Sequence, residues 1–234
     1  MTKEDLLTID PQELANLLRL PILRGNFTFE VFDNQGRLLE RREIPANSWV
    51  RNAYNMLLSV MGSKNANNST FGAGLLSIKI TSGAVRYGTK PIGWRYNMSL
   101  DAPGNDGYVA GAAADTWGIE VGSGSTAWSF EDFILATKIA NGTGGGQLSY
   151  ISHDVSEQSY VAGTKTFSIK HVRYFNNNSG GNVSVNEVGI VAQGDVNGDL
   201  VLFLVERTVL DSTVTIPNTG QLKVAYTISL VYPA

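Results

Sequence analysis

The sequence predicts a mainly β protein: an antiparallel β-sandwich of jelly-roll-like topology, with one principal α-helix and a short N-terminal helix. Three observations lead to this prediction. Residues 221–232 alternate apolar and polar side chains, as a strand with one buried face does. Glycine is abundant, with 25 residues that mark frequent turns. Only one segment, residues 50–61, has a sustained helical period.

Residues 1–24 are predicted to form an N-terminal helical arm. Asp10 is a suitable N-cap, Pro11 fits the first helical turn, and Pro21 ends the pattern. The apolar stripe of this helix consists of Leu14, Leu17 and Leu18. We expect the arm either to pack over the main domain or to contact a neighbouring molecule.

Residues 25–234 are predicted to form a single β-sandwich domain. It begins with a hairpin, because apolar and polar residues alternate from Phe27 and a turn follows at Asn34-Gln35-Gly36. The principal helix comes next, with Asn47 as its cap and Gly62 as its end. Its apolar positions, at i, i+3 and i+4 spacing, are Val50, Ala53, Tyr54, Leu57, Leu58 and Met61.

The second half of the domain is predicted to be almost entirely β. An irregular insertion is expected at about residues 82–115, and strands resume at 117–121 and from 147 to the end. Within residues 165–175 and 183–192 the apolar phase shifts, which predicts a β-bulge in each strand.

The segment GDVNGD at 194–199 has two interpretations. Its carboxylates resemble the start of a calcium loop, but such a loop needs a bidentate carboxylate at position twelve and flanking helices. Position twelve from Asp195 is Glu206, which lies in an apolar, strand-like run. We therefore predict a hairpin tip with Asn197-Gly198 as its turn. A weak, incidental calcium ion between Asp195 and Asp199 is the alternative.

The composition excludes several classes of function. A net charge of −3 and a pI near 5.4 give no electrostatic basis for binding nucleic acid. The chain has no cysteine, which excludes disulfides and thiolate chemistry. The sequence lacks a signal-peptide pattern and any apolar run of the roughly 18 residues that a membrane span needs. We expect a soluble protein that is made in a cytoplasm and does not contact a membrane.

The sequence contains no recognisable catalytic motif, and we expect neither a cofactor nor a metal. His153 and His171 have no nucleophile or metal partner at motif spacing. Gly122-Ser123-Gly124-Ser125 lacks the strand–turn–helix frame of a nucleophile elbow. We therefore predict that the protein is not an enzyme. A hydrolase would need two carboxylates that converge in the folded structure.

Aromatic side chains in loops are the candidate interaction residues, together with the leucines of the arm. Trp94, Tyr96 and Tyr108 lie in the insertion, and Trp128 follows a Gly/Ser loop. Such residues bind sugars or partner proteins. The alternative is that they fill the ends of the sandwich core.

Glu187 and Arg207 are predicted to form a structural pair. They lie on two runs that we expect to be partners in one hairpin, so their side chains can pair across the sheet. Gly189, in the same predicted strand as Glu187, is expected to permit the close approach of another backbone.

Four stretches together resemble structural proteins of tailed bacteriophages. They are PANSWVRNAYNMLLSVM at 45–61, VGSGSTAWSFEDFILATKI at 121–139, NEVGIVA at 186–192 and LVERTVLDSTVTIPNTGQLKVAYTISLVY at 204–232. The resemblance covers most of 25–62 and 117–232 but not the insertion, and its motifs are structural.

The resemblance implies a virion component that is not an enzyme and that binds other virion proteins, such as major capsid or tail proteins. We expect a capsid decoration or head-associated protein that forms a homo-oligomer. The alternatives are a tail or fibre component, or a carbohydrate-binding module that recognises a host glycan.

Overall fold

The computed structural model describes residues 22–46, 48–72, 76–89, 92 and 107–232. The predicted N-terminal helix, with Leu14, Leu17 and Leu18, lies outside these residues, as do Asn47, Trp94 and Tyr96. Among the described residues, no helix is long and apolar enough to cross a membrane.

The described chain contains one helix and eleven strands. The helix, α1, spans Arg51–Met61 and its N-cap is Val50, so the cap predicted at Asn47 is wrong. The strands are β1 (Ile22–Phe32), β2 (Leu38–Ala46), β3 (Ile78–Lys79), β4 (Val85–Arg86), β5 (Gly118–Gly122), β6 (Ser149–Tyr150), β7 (Glu157–Val161), β8 (Thr166–Asn176), β9 (Val183–Val196), β10 (Asp199–Ile216) and β11 (Gln221–Val231).

Two antiparallel sheets face each other across a shared core, which confirms the predicted mainly β sandwich. The larger sheet has the order β2-β1-β11-β8-β6, with β7 also paired to β8, and the smaller has the order β10-β9-β5. The core contains alternate residues of both, such as Phe27 and Val224 from the larger sheet and Val185 and Ile190 from the smaller. This arrangement buries one face of each sheet, as the period-two pattern of the sequence requires.

The predicted hairpins are present. β1 and β2 are joined at the turn that contains Gly36, which adopts a φ of +75°. β9 and β10 are joined at Asn197-Gly198, where both residues have positive φ, at +61° and +97°. Asp195 Oδ1 accepts a hydrogen bond from the Gly198 backbone N–H at 2.8 Å, so this carboxylate stabilises the turn.

A register irregularity lies where one of the two β-bulges is predicted, but its extra residues belong to β10 rather than to β9. The register of β9 against β10 shifts between the pairs Val209–Glu187 and Val214–Val185, so the irregularity falls opposite Asn186. The bulge predicted within 165–175 is wrong, because β8 pairs with β11 without interruption. The apparent phase shift arises because His171 and Arg173 occupy positions that the alternation reserves for apolar side chains, and both are buried.

Arg173 connects the larger sheet to the segment that precedes β5. Its guanidinium is fully buried and donates to five backbone carbonyls, those of Gly111, Ala114, Trp117, Ile119 and Ile151. The same group lies 4.7 Å from the centre of the Tyr150 ring, in cation–π geometry. Burial lowers the pKa of Arg173 to about 10, while Tyr150, Glu120 and Asp115 oppose this shift. One side chain therefore satisfies the carbonyls of a segment that forms few strand hydrogen bonds.

Replacing Arg173 with Met should lower the free energy of unfolding by more than about 3 kcal/mol, because it leaves several buried carbonyls without a donor. Chemical denaturation monitored by circular dichroism measures the effect. Arg37→Met is the matched control, since the Arg37 side chain is exposed and pairs with the Asp33 carboxylate. It should change stability by no more than about 0.5 kcal/mol. Equal effects of the two substitutions would contradict this role.

Candidate interaction surfaces

Glu187 and Arg207 form a buried ion pair between β9 and β10. Arg207 Nε donates to Glu187 Oε2 at 2.8 Å, and both side chains are almost completely excluded from solvent. The carboxylate also accepts three backbone hydrogen bonds, from the N–H groups of Gly124, Ala136 and Thr137 at 3.2, 3.0 and 2.7 Å. Four donors therefore satisfy this buried charge, and three of them belong to the loop between β5 and β6.

Arg207 holds the middle of the same loop. Its two remaining nitrogens donate to Asp132 Oδ2 at 2.7 Å and to the Thr126 carbonyl at 2.8 Å. Burial disfavours the charge, but the hydrogen bonds to Asp132 and Glu187 outweigh it and raise the pKa of Arg207. Together the two side chains fix residues 122–137, which we call the anchored loop, against the smaller sheet.

Glycines allow the anchored loop to approach the carboxylate closely. A Cβ atom at Gly122 would lie 2.6 Å from Glu187 Oε1, and one at Gly189 would lie 2.8 Å from the Leu135 side chain. Both distances are shorter than ordinary Cβ contacts, so a side chain at Gly122 would displace the buried carboxylate and one at Gly189 would displace Leu135. The glycines of the GSG pattern, Gly122 and Gly124, are explained by their contact with Glu187. The strand glycine, Gly189, is explained by its contact with Leu135 of the anchored loop. At Gly189 the close neighbours are a loop side chain, together with the backbone of β10.

The anchored loop supports α1. Trp128 Nε1 donates to the Ser48 carbonyl at 2.9 Å, and the Arg51 backbone N–H donates to the Phe130 carbonyl at 2.8 Å. The Arg51 guanidinium pairs with Glu131 and lies 4.6 Å from the centre of the Phe130 ring. The start of α1 is therefore held by the loop as well as by β10.

The inner face of α1 is polar. Asn52 and Ser59 are fully buried and Asn55 is nearly so. Asn52 Nδ2 donates to the carbonyls of Lys79 and Leu204, and its Oδ1 accepts from the Lys79 N–H at 3.0 Å. Ser59 accepts a hydrogen bond from the Ile92 N–H and donates one to the Lys64 carbonyl. The helix is thus attached to the domain through hydrogen bonds from its own side chains as well as through the packing of Ala53 and Met56.

The outer face of α1 is apolar and exposed. Of the apolar positions in the sequence pattern, only Val50 and Ala53 are buried. Leu58 is 59% exposed and Met61 is 77% exposed. We call the exposed set the apolar helix face; it comprises Tyr54, Leu57, Leu58 and Met61. An exposed cluster of large apolar side chains on a rigid element is typical of a protein interaction site.

A groove of about 1420 Å³ lies beside this helix. Its lining includes Asn26, Thr28, Thr227 and Ser229, and aromatic side chains at Trp49, Tyr54 and Tyr232. We call it the polar–aromatic groove. Tyr54 and Leu57 belong to both the groove lining and the apolar helix face, whereas Leu58 and Met61 do not line the groove.

A buried carboxylate lies below the entry to α1. Glu206 is fully buried, and its Oε1 accepts hydrogen bonds from the Ser48 N–H at 3.1 Å and the Thr208 hydroxyl at 2.7 Å. Its Oε2 has no hydrogen-bond partner among the described residues. Burial raises the pKa of Glu206 to about 7, although the bonds from Thr208 and Ser48 oppose the shift.

The two histidines are packed within the domain. His153 Nε2 accepts from the Ile119 N–H at 3.2 Å, and its Nδ1 lies 3.2 Å from the Ala110 carbonyl, which fits a neutral ring with its proton on Nδ1. Burial lowers the pKa of His153 well below its usual value. His171 contacts the Ser156 hydroxyl at 2.8 Å and the edge of the Tyr108 ring.

The predicted interaction residues lie in different environments. Tyr108 packs against the sandwich core, and burial raises its pKa to about 12, so it does not form an exposed platform. Trp128 is 40% exposed and lies on the anchored loop beside α1. Trp94, Tyr96 and the three arm leucines lie outside the described residues. The structure brings Glu187 and Arg207 together as described above.

Sequence reasoning missed the surfaces that the structure presents. The helical spacing identified the apolar positions of α1, but not that most of them face solvent. The sequence does not show that Tyr232 lies near Trp49 and Tyr54, because it is far from both along the chain. The sequence signal for the orientation of α1 is its polar set Asn52, Asn55 and Ser59, which lie on one helix face at i, i+3 and i+7 spacing.

Neither metal chemistry nor a known relative provides a function. Among the described residues, no group of three or more histidine, aspartate or glutamate side chains is arranged to hold a metal ion. Comparison with protein-family models, with curated protein sequences and with solved structures found no match. The functional argument therefore rests on the surfaces of the chain itself.

Replacing Glu187 with Ala should lower the melting temperature strongly. It leaves the buried Arg207 without its main counter-charge and three loop amides without an acceptor, which costs about 3–5 kcal/mol. Differential scanning calorimetry measures the change. Glu157→Ala removes an exposed pair with Lys170 and should cost less than about 1 kcal/mol. An unchanged melting temperature of Glu187→Ala would refute the anchoring role.

Replacing Glu206 with Gln should change how stability depends on pH. A folded-state pKa of about 7, above the ordinary 4.5, means that the stability contributed by the neutral Glu206 is complete below pH 4.5 and is lost as the pH rises through 7. Gln does not ionise. The unfolding free energy of the variant relative to wild type should therefore rise by about 3 kcal/mol between pH 4.5 and 8.

Urea denaturation of both proteins across this pH range measures the difference directly. Contributions from His153 and from Glu120, whose pKa burial raises to about 7, occur in both proteins and cancel. A difference in unfolding free energy that does not vary with pH would show that folding does not raise the pKa of Glu206.

Proposed function

We propose that this chain is a non-enzymatic structural protein that binds another protein through the apolar helix face. Following the sequence resemblance, we further propose that it is a component of a tailed-bacteriophage virion, most simply a capsid decoration or head-associated protein. Its partners would be other virion proteins, with assembly as a homo-oligomer.

The observation that carries this proposal is the inverted polarity of α1. Its polar side chains are buried and hydrogen-bonded, while Leu58 and Met61 are more than half exposed. Exposing such side chains to water is unfavourable, at about 25 cal/mol for each Å² of apolar surface, so a partner that covers them gains stability. Aromatic residues and Met are enriched in the centres of protein interfaces.

The anchored loop makes this surface suitable for a repeated contact. Trp128 and Phe130 flank α1, and their loop is fixed by Glu187 and Arg207. A rigid surface loses little conformational freedom when it binds. This supports a scaffold role, in which many copies present the same surface. A tail or fibre component would use the surface in the same way and is the alternative within this class.

Immunogold electron microscopy of phage particles that carry this gene tests the location. Antibodies against the chain should label intact particles, with label over the capsid for a head protein and over the tail for the alternative. Particles that bear no label, from a preparation in which the chain is expressed, would contradict the virion assignment.

The double substitution Leu58→Glu/Met61→Glu should weaken binding of the purified chain to particles that lack it by at least tenfold, because it places two charges in the contact. Co-sedimentation measures the bound fraction. Leu38→Glu/Leu39→Glu is the matched control: both residues are more than half exposed, but they lie at the start of β2. Equal binding by all three proteins would exclude the apolar helix face as the contact.

A further inference from the structure

The register of the larger sheet divides the lining of the polar–aromatic groove between the two faces of that sheet. Asn26 and Thr227 pair directly and lie on the face opposite to the buried Phe27 and Tyr226. Tyr232 lies an even number of residues after Tyr226 and therefore on the core side of the sheet. The polar and the aromatic parts of the lining are thus separate surfaces.

The core side of the larger sheet continues as an apolar row beyond the sandwich core. Along β11 the core includes Tyr226 and contacts Ile228, but it does not include Leu230. Leu230 pairs with a residue of β1 and with one of β8, which in turn pairs with a residue of β7. Directly paired residues share one face. We call this row, with the tyrosine that follows β11, the extended sheet face; it comprises Leu23, Leu230, Phe167, Tyr160 and Tyr232.

The extended sheet face is open to solvent. Leu23 is 41% exposed, Tyr232 is 42% exposed and Tyr160 is 55% exposed. The rings of Tyr160 and Tyr232 lie 6.4 Å apart, so they form one continuous apolar patch at the β7 side. In a folded domain, the apolar face of a sheet is normally covered by another element.

The chain enters β1 at this end of the sheet. Ile22, the first residue of β1, pairs with Val231, the last residue of β11, and residues 1–21 come directly before it. Leu18 is five residues from Leu23 along the chain. Because an extended chain spans at most about 3.6 Å per residue, Leu18 lies within roughly 18 Å of the row. The arm leucines are therefore confined to its neighbourhood.

The sequence of the arm suits this surface. Leu14, Leu17 and Leu18 have the spacing of an apolar stripe on one side of a helix. A helix this short is marginal in water by itself and is stabilised by packing such a stripe on an apolar surface. Because the connection to β1 is short, the arm has a high effective concentration at the row, which a separate molecule lacks.

We propose that residues 1–21 dock on the extended sheet face of their own chain through the stripe of Leu14, Leu17 and Leu18. The arm then covers the open end of the sandwich and does not serve as a link to a neighbouring molecule. Tyr54 and Leu57 border this face from α1. The proposal does not depend on the virion contact, and its tests use sheet and arm residues only.

Chemical cross-linking determines which face of the sheet the arm covers. The chain has no cysteine, so two introduced cysteines are its only thiols. Gln158 and Ser159 are adjacent, exposed residues of β7, and only Gln158 lies on the face of Tyr160. With a short bis-maleimide, Ala15→Cys/Gln158→Cys should cross-link within one chain at least tenfold faster than Ala15→Cys/Ser159→Cys.

Mass spectrometry of the cross-linked products measures both rates. Equal rates for the two pairs, or products that are mainly dimers, would overturn the proposal. Adding Leu14→Glu, Leu17→Glu and Leu18→Glu to both chains keeps the connection but charges the stripe, so it should abolish the difference in rate. A difference that survives these substitutions would show that the leucines do not dock the arm.

Tryptic cleavage after Arg19 tests the sheet side of the contact. Tyr160→Ser/Tyr232→Ser should accelerate this cleavage several-fold relative to wild type, because an undocked arm is more accessible to protease. Leu38→Ser/Leu39→Ser is the matched control: both residues are more than half exposed, but they lie at the opposite end of the sheet. Equal cleavage of all three proteins would contradict docking on this face and would leave the proposed virion contact unaffected.

Discussion

The buried ion pair between Glu187 and Arg207 is the interaction on which the described surface depends. It joins β9 to β10 and also holds a loop that has few strand hydrogen bonds of its own. Such a pair does not stabilise a fold merely by being buried, because removing two charges from water is costly. Here the cost is offset by backbone donors and acceptors that would otherwise lack partners. The pair therefore determines where the loop lies.

Fixing that loop has consequences at the outer surface. The loop carries Trp128 and Phe130 to α1, and α1 is attached through buried Asn and Ser side chains. Because buried polar side chains, together with Ala53 and Met56, hold the helix, its exposed apolar residues remain available to a partner. Arg173 acts in a comparable way on the other sheet, where it satisfies the carbonyls of a second irregular segment. Buried polar anchors thus replace regular sheet pairing at both places.

Sequence reasoning predicted the features that depend on local pattern. The sandwich, the β9–β10 hairpin with its Asn-Gly turn and the end of α1 before Gly62 all follow from alternation, helical period and turn residues. Sequence reasoning failed where the position of an element depends on contacts with residues that are distant in the sequence. The orientation of α1 depends on the carbonyl of Leu204, which is 152 residues from Asn52. The polar residues His171 and Arg173 interrupt the apolar alternation of β8, which led to the wrong prediction of a bulge there. The groove could not be predicted because it depends on the pairing of β1 with β11.

Native-state amide hydrogen exchange, followed by NMR, tests the central claim most directly. Gly124, Ala136 and Thr137 donate their amides to the Glu187 carboxylate, although all three lie in a loop. If the ion pair fixes this loop, the three amides should exchange as slowly as amides of the central strand β9, such as that of Val188. Exchange as fast as that of the exposed Gly163 would show that the loop opens freely, which would contradict the account.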